Sequence, residues 1–257
     1  MMDLKGTKVL IAGAGKGIGG TVAKMAAERG AQIVIGDINH AAALAVAEEI
    51  QQLGGAAHAF HVDISNEQSV QTLVNQAVHA MSGLDALINM AANISLVASA
   101  ADDTVETMDP SIWQRTMDVN LTGFGLTIKH CLPHLKTSAC ASVVNISSGA
   151  ATIGEPIRPA YAASKAGVGA LTRHAARLLA EQNVRVNAVA PGMTKTEEVG
   201  RLLEQGEVLE AYVRDIPMKR PAEMREVSSV VLFLLSREAS YVTGQVWAVN
   251  GGFQMRE

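Results

Sequence analysis

The chain has 257 residues, of which 48% are hydrophobic and 18% charged, a composition that excludes a disordered protein and allows a large core. Its net charge is −4, from 21 basic and 25 acidic residues, and no cluster of Lys or Arg predicts a nucleic-acid partner. Two cysteines exclude a disulfide scaffold, and no apolar run of about 20 residues predicts a membrane helix. Because the first residues, with Asp3 and Lys5, do not resemble a signal peptide, we expect a cytoplasmic protein without a membrane partner.

Short apolar runs alternate with helical patterns along the whole chain. Strands are predicted at residues 7–12, 31–36, 57–62, 84–89, 142–147, 184–189 and 245–249. Helices are predicted at residues 18–29, 41–53, from 65 onward, 110–135, 159–182 and 222–235. The strands are continuously apolar, which is typical of a parallel sheet covered by helices on both faces. The pattern therefore predicts an α/β fold with one domain over residues 1–257, in which polar residues 195–216 form a substrate-binding flap.

A glycine-rich turn joins the first predicted strand to the first predicted helix. Its candidate cofactor-binding residues are Gly13, Gly15, Lys16, Gly17, Ile18 and Gly19. Such a turn presents backbone N–H groups and the positive end of a helix to a pyrophosphate, which side chains would block. A glycine-rich stretch alone is often only a turn, but the strand–turn–helix context predicts dinucleotide binding.

Asp37 ends the second predicted strand, 20 residues after Gly17. A carboxylate there accepts hydrogen bonds from the adenosine ribose and repels a 2′-phosphate, although it could instead cap the next helix. Lys16 would attract that phosphate, but we expect the fixed charge of Asp37 to outweigh one flexible lysine, so that NAD is preferred over NADP. Asp63 closes the third strand and would lie near the adenine or cap a helix. The cofactor candidates here also include Ile38 and Ile64.

The order and spacing of six features resemble the short-chain dehydrogenase/reductase family in its single-domain form. The features are the glycine turn, residues 89–92, Asn120, Ser148, the pair Tyr161 and Lys165, and Pro191 with Gly192. The resemblance covers nearly the whole chain and implies a Rossmann-type, doubly wound sheet of seven parallel strands with helices on both faces. It also implies nicotinamide-dependent oxidoreduction of a small-molecule alcohol or ketone by a homotetramer or dimer.

Three positions depart from the family's pattern. Ala12 stands where the family usually has Thr, and Met90 and Ala92 replace the usual Asn and Gly. These residues mostly support the sheet and the floor of the cofactor site, so we expect altered packing and retained chemistry. The resemblance implies further cofactor contacts from Asn89, Ala91, Tyr161, Lys165, Pro191, Gly192, Thr194 and Thr196.

Tyr161 and Lys165 are four residues apart in a predicted helix and therefore face the same side. A tyrosine has a pKa of about 10 and is a poor base at neutral pH. A nearby ammonium and the positive charge of an oxidised nicotinamide would lower that pKa, so that Tyr161 takes the alcohol proton as hydride leaves. The alternative is a buried tyrosine beside a lysine that faces solvent.

Two further residues complete the predicted catalytic group. The family resemblance implies that Ser148, 13 residues before Tyr161, hydrogen-bonds the substrate oxygen. Strand alternation would send its rival, Ser147, to the opposite face. Asn120 lies inside a predicted helix, where asparagine is unfavourable, and the resemblance implies that it holds a water that relays protons to Lys165. Its alternative role is a buried hydrogen bond to a backbone carbonyl.

The predicted substrate pocket is mostly apolar, which indicates a hydrophobic or cyclic secondary alcohol or ketone. Its candidate residues are Ser95, Leu96, Gly149, Ala150, Ile157, Met193, Leu202 and Tyr212. Arg158 is the exception, because it could bind a substrate carboxylate, although an exposed surface arginine is the more common role. His130 and His134 are the one histidine pair with helical ligand spacing, and we expect no metal there.

Three functions are compatible with the sequence. We favour an NAD(H)-dependent dehydrogenase of secondary alcohols. An NADPH-dependent 3-ketoacyl-thioester reductase would fit Lys16 but not Asp37. A catalytically inactive nucleotide-sensing protein is opposed by the complete set of catalytic candidates, namely Asn120, Ser148, Tyr161 and Lys165.

Overall fold

The computed structural model describes residues 3–93, 100–197, 199–200, 210 and 213–255. Its strands are β1 (Lys8–Ala12), β2 (Gln32–Asp37), β3 (Ala56–His61), β4 (Ala86–Asn89), β5 (Ala141–Ile146), β6 (Val184–Pro191) and β7 (Val246–Val249). All pair in parallel, in the order β3-β2-β1-β4-β5-β6-β7. This order confirms the prediction of a doubly wound, seven-stranded parallel sheet.

The α-helices whose bounds the structure describes follow the predicted pattern with three exceptions. They are α1 (Gly17–Ala27), α2 (His40–Gln52), α3 (Glu67–Met81), α4 (Pro110–Met117), α5 (Gly123–Leu135), α6 (Ala150–Ile153), α7 (Pro159–Leu179) and α8 (Met224–Leu235). The predicted continuous α-helix over residues 110–135 is wrong, because a π-helical turn at Asp118–Thr122 separates α4 from α5. The short α6 was not predicted, and the helix predicted over residues 159–182 ends as a 3₁₀ turn at Ala180–Gln182.

Local capping explains where several helices begin. The side chains of Asn39 and Asn66 accept hydrogen bonds from the backbone of the first turns of α2 and α3, which satisfies donors that have no partner inside the helix. Asp109 caps α4 in the same way, and Pro110 occupies the first turn, where its missing N–H costs nothing. These starts hold the helices at fixed distances from the strand ends that precede them.

The two faces of the sheet are both apolar, as β1 illustrates. Val9 and Ile11 pack into the core on one face, whereas Leu10 packs into the core on the other face. Successive residues of a strand point to opposite faces, so a strand that is covered on both sides must be apolar throughout. This explains the continuous apolar runs of the sequence.

The topology gathers the candidate residues at one edge of the sheet. Because β1 has β2 on one side and β4 on the other, the connections after β1 and β4 diverge and leave a crevice at their carboxyl ends. The glycine turn follows β1, Ser148 follows β5, and Pro191 ends β6. The predicted site residues therefore lie along this crevice.

Part of the predicted substrate region lies outside the described residues. These undescribed positions include Ser95, Leu96, Leu202 and Tyr212 and most of the predicted flap at residues 195–216. At the first residue of the predicted flap, the Lys195 N–H donates a hydrogen bond to the Ala222 carbonyl oxygen over 2.9 Å. Within the described ranges, the helices are too short or too polar to cross a membrane.

Candidate active site

Glycines allow the end of β1, the end of β4 and the start of α1 to meet at close range. Gly13 has a φ of +94°, and a Cβ at this position would lie 2.4 Å from the Ala91 nitrogen. A Cβ at Gly19 would lie 2.4 Å from the Gly13 carbonyl oxygen. The Ala91 N–H donates to the Ala12 carbonyl oxygen over 2.8 Å, which ties the two strand ends together. Side chains at Gly13 or Gly19 would therefore push the turn apart.

The start of α1 fits the pyrophosphate of a dinucleotide. Its first turn, residues 17–20, consists of Gly, Ile, Gly and Gly, so no carboxylate of its own occupies the positive end of the helix. Gly17 has a φ of +60°, which brings the chain from the turn into the helix. The first N–H groups of a helix lack partners within it and bind anions. Lys16 is exposed immediately before this helix.

Asp37 joins the end of β2 to the glycine turn. Its Oδ2 accepts a hydrogen bond from the Gly15 N–H over 2.8 Å, and its Oδ1 accepts one from the Asn39 N–H over 2.9 Å. The alternative that Asp37 caps α2 is wrong, because the Asn39 side chain does so by accepting from the Ala42 N–H over 3.1 Å. The Asp37 carboxylate is thus held where the end of β2 meets the glycine turn.

The residues after β3 divide between the surface and the core. Burial acts to raise the pKa of Asp63, but hydrogen bonds from Ser65 and the charge of Arg115, 3.6 Å away, hold it below its ordinary value. Asn66 rather than Asp63 caps α3. The Ile64 side chain is 5% exposed and lies in the core. The other isoleucine candidate, Ile38, is 59% exposed after β2.

Tyr161 and Lys165 lie one turn apart on α7 and share one environment. The Lys165 side chain is 1% exposed, and its Nζ donates to the Ile146 carbonyl oxygen over 2.8 Å. The same Nζ lies 5.9 Å from the centroid of the Tyr161 ring. The alternative of a lysine that faces solvent is therefore wrong.

Burial dominates the ionisation of this pair. It raises the pKa of Tyr161 above its ordinary value, and a hydrogen bond with Ser148 and the charge of Arg158 lower it by less. Burial also lowers the pKa of Lys165 to about 7. The sequence led us to expect a lowered tyrosine pKa from the nearby ammonium and the nicotinamide. In the protein alone the pKa of Tyr161 is raised instead, since burial disfavours the charged phenolate.

The two serines after β5 have different partners. The Ser147 hydroxyl donates to the Lys165 carbonyl oxygen over 2.9 Å, a contact with the backbone of α7. The Ser148 hydroxyl accepts from the Ala150 N–H over 3.2 Å, and its side chain acts to lower the pKa of Tyr161. Ser148 is therefore the serine that interacts with the side chain of Tyr161.

Asn120 lies in the π-helical turn and is fully buried. Its Nδ2 donates to the Ser164 hydroxyl over 3.1 Å, and its Oδ1 accepts from the Asn93 N–H over 2.7 Å. It therefore bonds a backbone N–H rather than the backbone carbonyl of the alternative interpretation. Because Ser164 in turn donates to the Tyr161 carbonyl oxygen over 2.7 Å, Asn120 links the chain after β4 to the catalytic helix.

Asn89 serves the sheet with its side chain. Its Nδ2 donates to Asn145 Oδ1 over 2.9 Å, and its Oδ1 accepts from the Thr127 hydroxyl over 2.6 Å. All three side chains are completely buried. This network links the end of β4 to β5 and α5. The Asn89 side chain therefore supports the sheet at this point.

The loop after β6 closes the other side of the crevice. The Gly149 N–H donates to the Pro191 carbonyl oxygen over 3.0 Å, and the Gly192 N–H donates to the Val249 carbonyl oxygen over 2.9 Å. Thr194 is buried and its hydroxyl donates to the Gly192 carbonyl oxygen over 3.1 Å. A Cβ at Gly17 would lie 3.8 Å from Thr196 Cγ2. The loop therefore approaches the start of α1 closely.

The structure reveals one supporting residue that the sequence analysis missed. Asp102 is 6% exposed, and its two carboxylate oxygens accept from the N–H groups of Ala160 (3.1 Å) and Tyr161 (2.8 Å). It therefore caps the helix that carries the candidate catalytic tyrosine. Pro159 signals that a helix starts here, but no sequence pattern reveals a cap 58 residues earlier in the chain.

Arg158 is a partly exposed residue beside the candidate catalytic tyrosine. Its side chain is 32% exposed and pairs with Glu155. Its guanidinium carbon lies 5.5 Å from the centroid of the Tyr161 ring. The backbone of Arg158 is left-handed, with a φ of +64°. A cationic group thus stands beside the candidate catalytic tyrosine.

The described substrate candidates surround the catalytic group unevenly. Ala150 is 5% exposed at the start of α6, whereas Ile157 is 44% exposed. Met193 lines a small cavity of about 70 Å³ together with Ile216 and Met218. Gly149 is fixed to the β6 loop by the hydrogen bond given above. Ala150, Ile157 and Met193 are the apolar side chains among the described candidates.

The histidine pair on α5 makes surface contacts. His130 Nε2 lies 3.0 Å from a Glu67 carboxylate oxygen, which also contacts Lys129 at 2.6 Å. Across the described ranges, His, Cys, Asp and Glu side chains form no group of three or more that could hold a metal ion.

Comparisons with known proteins agree with this architecture. A family model described as enoyl-(acyl carrier protein) reductase matches residues 13–254. The chain is 36% identical over 244 residues to a cis-4-hydroxycyclohexanecarboxylate dehydrogenase of Sinomonas cyclohexanicum, covering 95% of each chain. It is 34% identical over 251 residues to a 3-oxoacyl-(acyl-carrier-protein) reductase of Thermotoga maritima, covering 98% of this chain and 99% of the relative. A solved short-chain type dehydrogenase/reductase from Mycobacterium ulcerans superposes with a TM-score of 0.92 at 30% identity, covering 98% of this chain and 91% of that chain.

Proposed function

The chain belongs to the short-chain dehydrogenase/reductase family, and from this premise we propose that it transfers a hydride between NAD(H) and a hydrophobic or cyclic secondary alcohol or ketone. The observation that carries the proposal is the placement of Ser148, Tyr161 and Lys165 at one end of the crevice whose other end is the glycine turn. A small apolar alcohol at this end would contact a proton acceptor while its carbon faces the nicotinamide.

The chain's own residues supply the proton chemistry. Bound NAD would accept the hydride from the alcohol carbon. Ser148 interacts with the side chain of Tyr161, so a substrate oxygen between the two would be held by both hydroxyls, and Tyr161 would take or give the proton. Because burial raises the pKa of Tyr161, the free protein holds the protonated form, which is the acid that ketone reduction needs. Lys165 would be a second group that can carry a proton, because its Nζ is held by the Ile146 carbonyl oxygen beside the Tyr161 ring.

The residues that would hold the cofactor also favour NAD. The N-terminus of α1 would bind the pyrophosphate, and the loop around Thr194 and Thr196 would contact the nicotinamide end. Asp37 is fixed by the N–H groups of Gly15 and Asn39, so its charge cannot readily move away from a 2′-phosphate. This fixed carboxylate supports a preference for NAD over NADP.

The cyclic substrate class is supported by similarity and by the apolar character of the candidate pocket residues. A relative at 36% identity is named as a dehydrogenase of a hydroxycyclohexane. The described pocket residues Ala150, Ile157 and Met193 are uncharged and would contact a compact hydrocarbon ring. We therefore propose a substrate of about the size of cyclohexanol in contact with these residues.

The test is turnover by the purified protein with a panel of cyclic secondary alcohols and ketones, each with both nicotinamide cofactors. Tyr161→Phe should lower kcat by about 10²-fold or more, since it removes the proton acceptor, and leave NAD binding in place. Tyr241→Phe is the matched control, because Tyr241 is fully exposed. Near-normal turnover by Tyr161→Phe would refute the mechanism. A protein that binds NAD and oxidises none of the panel would favour the nucleotide-sensing alternative.

A second candidate is an NADPH-dependent reductase of 3-ketoacyl thioesters. The relative from Thermotoga maritima and the description of the family model support it, as does Lys16 beside the phosphate turn. A short 3-ketoacyl thioester with NADPH therefore belongs in the same panel. A higher kcat/KM for this pair than for every cyclic alcohol with NAD would favour the second candidate.

We also propose a homo-oligomer, either a tetramer or a dimer. The edge strand β7 leaves Val246 and Trp247 each more than one third exposed, and apolar side chains on an open sheet edge are commonly covered by another chain. Sedimentation at several protein concentrations measures the assembly. A monomer at all concentrations would contradict the proposal.

A further inference from the structure

Arg158 is a cationic group next to the reacting tyrosine that the hydride-transfer chemistry leaves without a role. Its guanidinium lies over the Tyr161 ring at 5.5 Å, and the Tyr161 side chain interacts with Ser148. If the substrate oxygen binds between the Ser148 and Tyr161 hydroxyls, a small ring that carries this oxygen would extend about as far as the guanidinium.

The protein holds Arg158 in place from both sides. Its N–H donates to the carbonyl oxygens of Asp102 (2.9 Å) and Asp103 (2.8 Å), and its φ of +64° lies in the left-handed region that residues with a side chain seldom adopt. Such a conformation persists only where the surroundings impose it, and it is concentrated at functional sites. The arginine therefore has a fixed position relative to Tyr161, which follows it on α7.

The guanidinium has donors left to offer. Nη2 pairs with Glu155, while Nε is buried and, among the residues that the structure describes, has no hydrogen-bond partner. A guanidinium carries five N–H donors in a planar fork, so one carboxylate does not exhaust it. A buried donor without a partner is unfavourable. Because the side chain is still 32% exposed, a second anionic acceptor can reach the exposed N–H groups of the guanidinium from the solvent side.

We propose that Arg158 binds a carboxylate carried by the substrate on the side of its ring opposite the reacting alcohol. The substrate is then a cyclic hydroxy acid or keto acid, with an apolar body against Ala150 and Ile157. This inference rests on the proposed function, since it assigns the substrate class of the same site. Glu155 opposes the bound anion and so limits its affinity, which makes Glu155 a second determinant of specificity.

Two substrates and two variants isolate this contact. The substrates are 4-hydroxycyclohexanecarboxylate and its methyl ester, which differ in charge at the far end of the ring. Arg158→Gln should raise KM for the acid about 10-fold or more, the cost of one charge-assisted contact, and leave KM for the ester unchanged. Glu155→Gln should lower KM for the acid alone. Arg158→Lys, which keeps the charge without the fork, should restore part of the acid's affinity.

A binding measurement separates this inference from the proposed function. Calorimetry with cyclohexanecarboxylate and the protein–NADH complex reports the anion contact whether or not any alcohol is oxidised. Binding that Arg158→Gln weakens and Glu155→Gln strengthens supports the carboxylate site, even if the panel of alcohols fails. Arg225→Gln is the control, because Arg225 forms a surface pair with Glu28 at 3.4 Å. Equal losses for acid and ester, or unchanged cyclohexanecarboxylate binding in Arg158→Gln, would overturn it and assign Arg158 to the support of Tyr161.

Discussion

Replacing Asp102 by alanine should weaken both the stability and the activity of the protein. The variant loses the carboxylate that accepts the Ala160 and Tyr161 N–H groups at 3.1 and 2.8 Å. Loss of a helix cap costs about 0.5–2 kcal/mol, and hydrogen bonds to a charged acceptor are worth about 1.5–3 kcal/mol each. Since Asp102 is only 6% exposed, water cannot fully replace it, and we expect a loss of about 2–4 kcal/mol.

The same change should reach catalysis through the backbone of the tyrosine. The lost bond is made by the Tyr161 N–H itself, so the start of α7 can shift relative to Ser148. A displacement of about 1 Å at a reacting group can cost about 10²-fold in rate. We therefore expect kcat to fall about 10- to 100-fold while KM for NAD changes little, because the cofactor turn lies on β1 and α1.

Denaturant unfolding and steady-state kinetics on three variants test this reasoning. Asp102→Asn keeps one acceptor oxygen and should lose roughly half as much stability as Asp102→Ala. Asp103→Ala is the matched control, since its side chain is exposed and hydrogen-bonds only Thr107 among the described contacts, at 3.2 Å. If Asp102→Ala unfolds within about 0.5 kcal/mol of the parent and keeps its kcat, the cap does not position Tyr161.

Two further predictions concern single charged groups. Asp37→Asn should lower the ratio of kcat/KM for NAD to that for NADP, because it removes the charge that repels a 2′-phosphate; an unchanged ratio measured with one alcohol would contradict the role of Asp37. Burial lowers the pKa of Lys165 from 10.5 to about 7, so between these values the unfolded chain binds more protons than the folded one and stability should rise with pH. Denaturant unfolding of the cofactor-free protein between about pH 7 and 9, below the ordinary pKa of Cys131 (9.0) and Tyr161 (10.0), should show this rise, and Lys165→Met should flatten it. Equal slopes in both proteins would mean that Lys165 stays charged when buried.

Local patterns made much of the fold and part of the site predictable. The strands could be predicted because helices cover both faces of the sheet. A strand buried on both faces is apolar at every position, which gives a continuous apolar run in the sequence. The glycine turn could be predicted because the strand before it and the helix after it are adjacent to it in the sequence. Tyr161 and Lys165 could be placed on one side because the spacing of four residues fixes their common face in any α-helix.

The features that the sequence did not reveal depend on distant parts of the chain. The cap from Asp102 joins residues 58 positions apart, and no periodicity carries that information. The π-helical turn around Asn120 widens a helix through its hydrogen-bond pattern, and the only local signal was an asparagine at an unfavourable position. The Arg158 side chain pairs with Glu155 and its N–H donates to the carbonyl oxygens of Asp102 and Asp103, contacts that its residue type alone does not predict.

These distant contacts converge on the first turn of α7, and that has a consequence for how specificity can change. Asp102 holds the Tyr161 N–H with its side chain and the Arg158 N–H with its carbonyl oxygen. The acid/base group and the proposed anion-binding group therefore share one support, three residues apart on the chain. A shift in the segment that carries Asp102 would move both groups together and alter kcat and the KM for an anionic substrate at once. Substitutions in this segment can thus change the substrate range without touching the substrate.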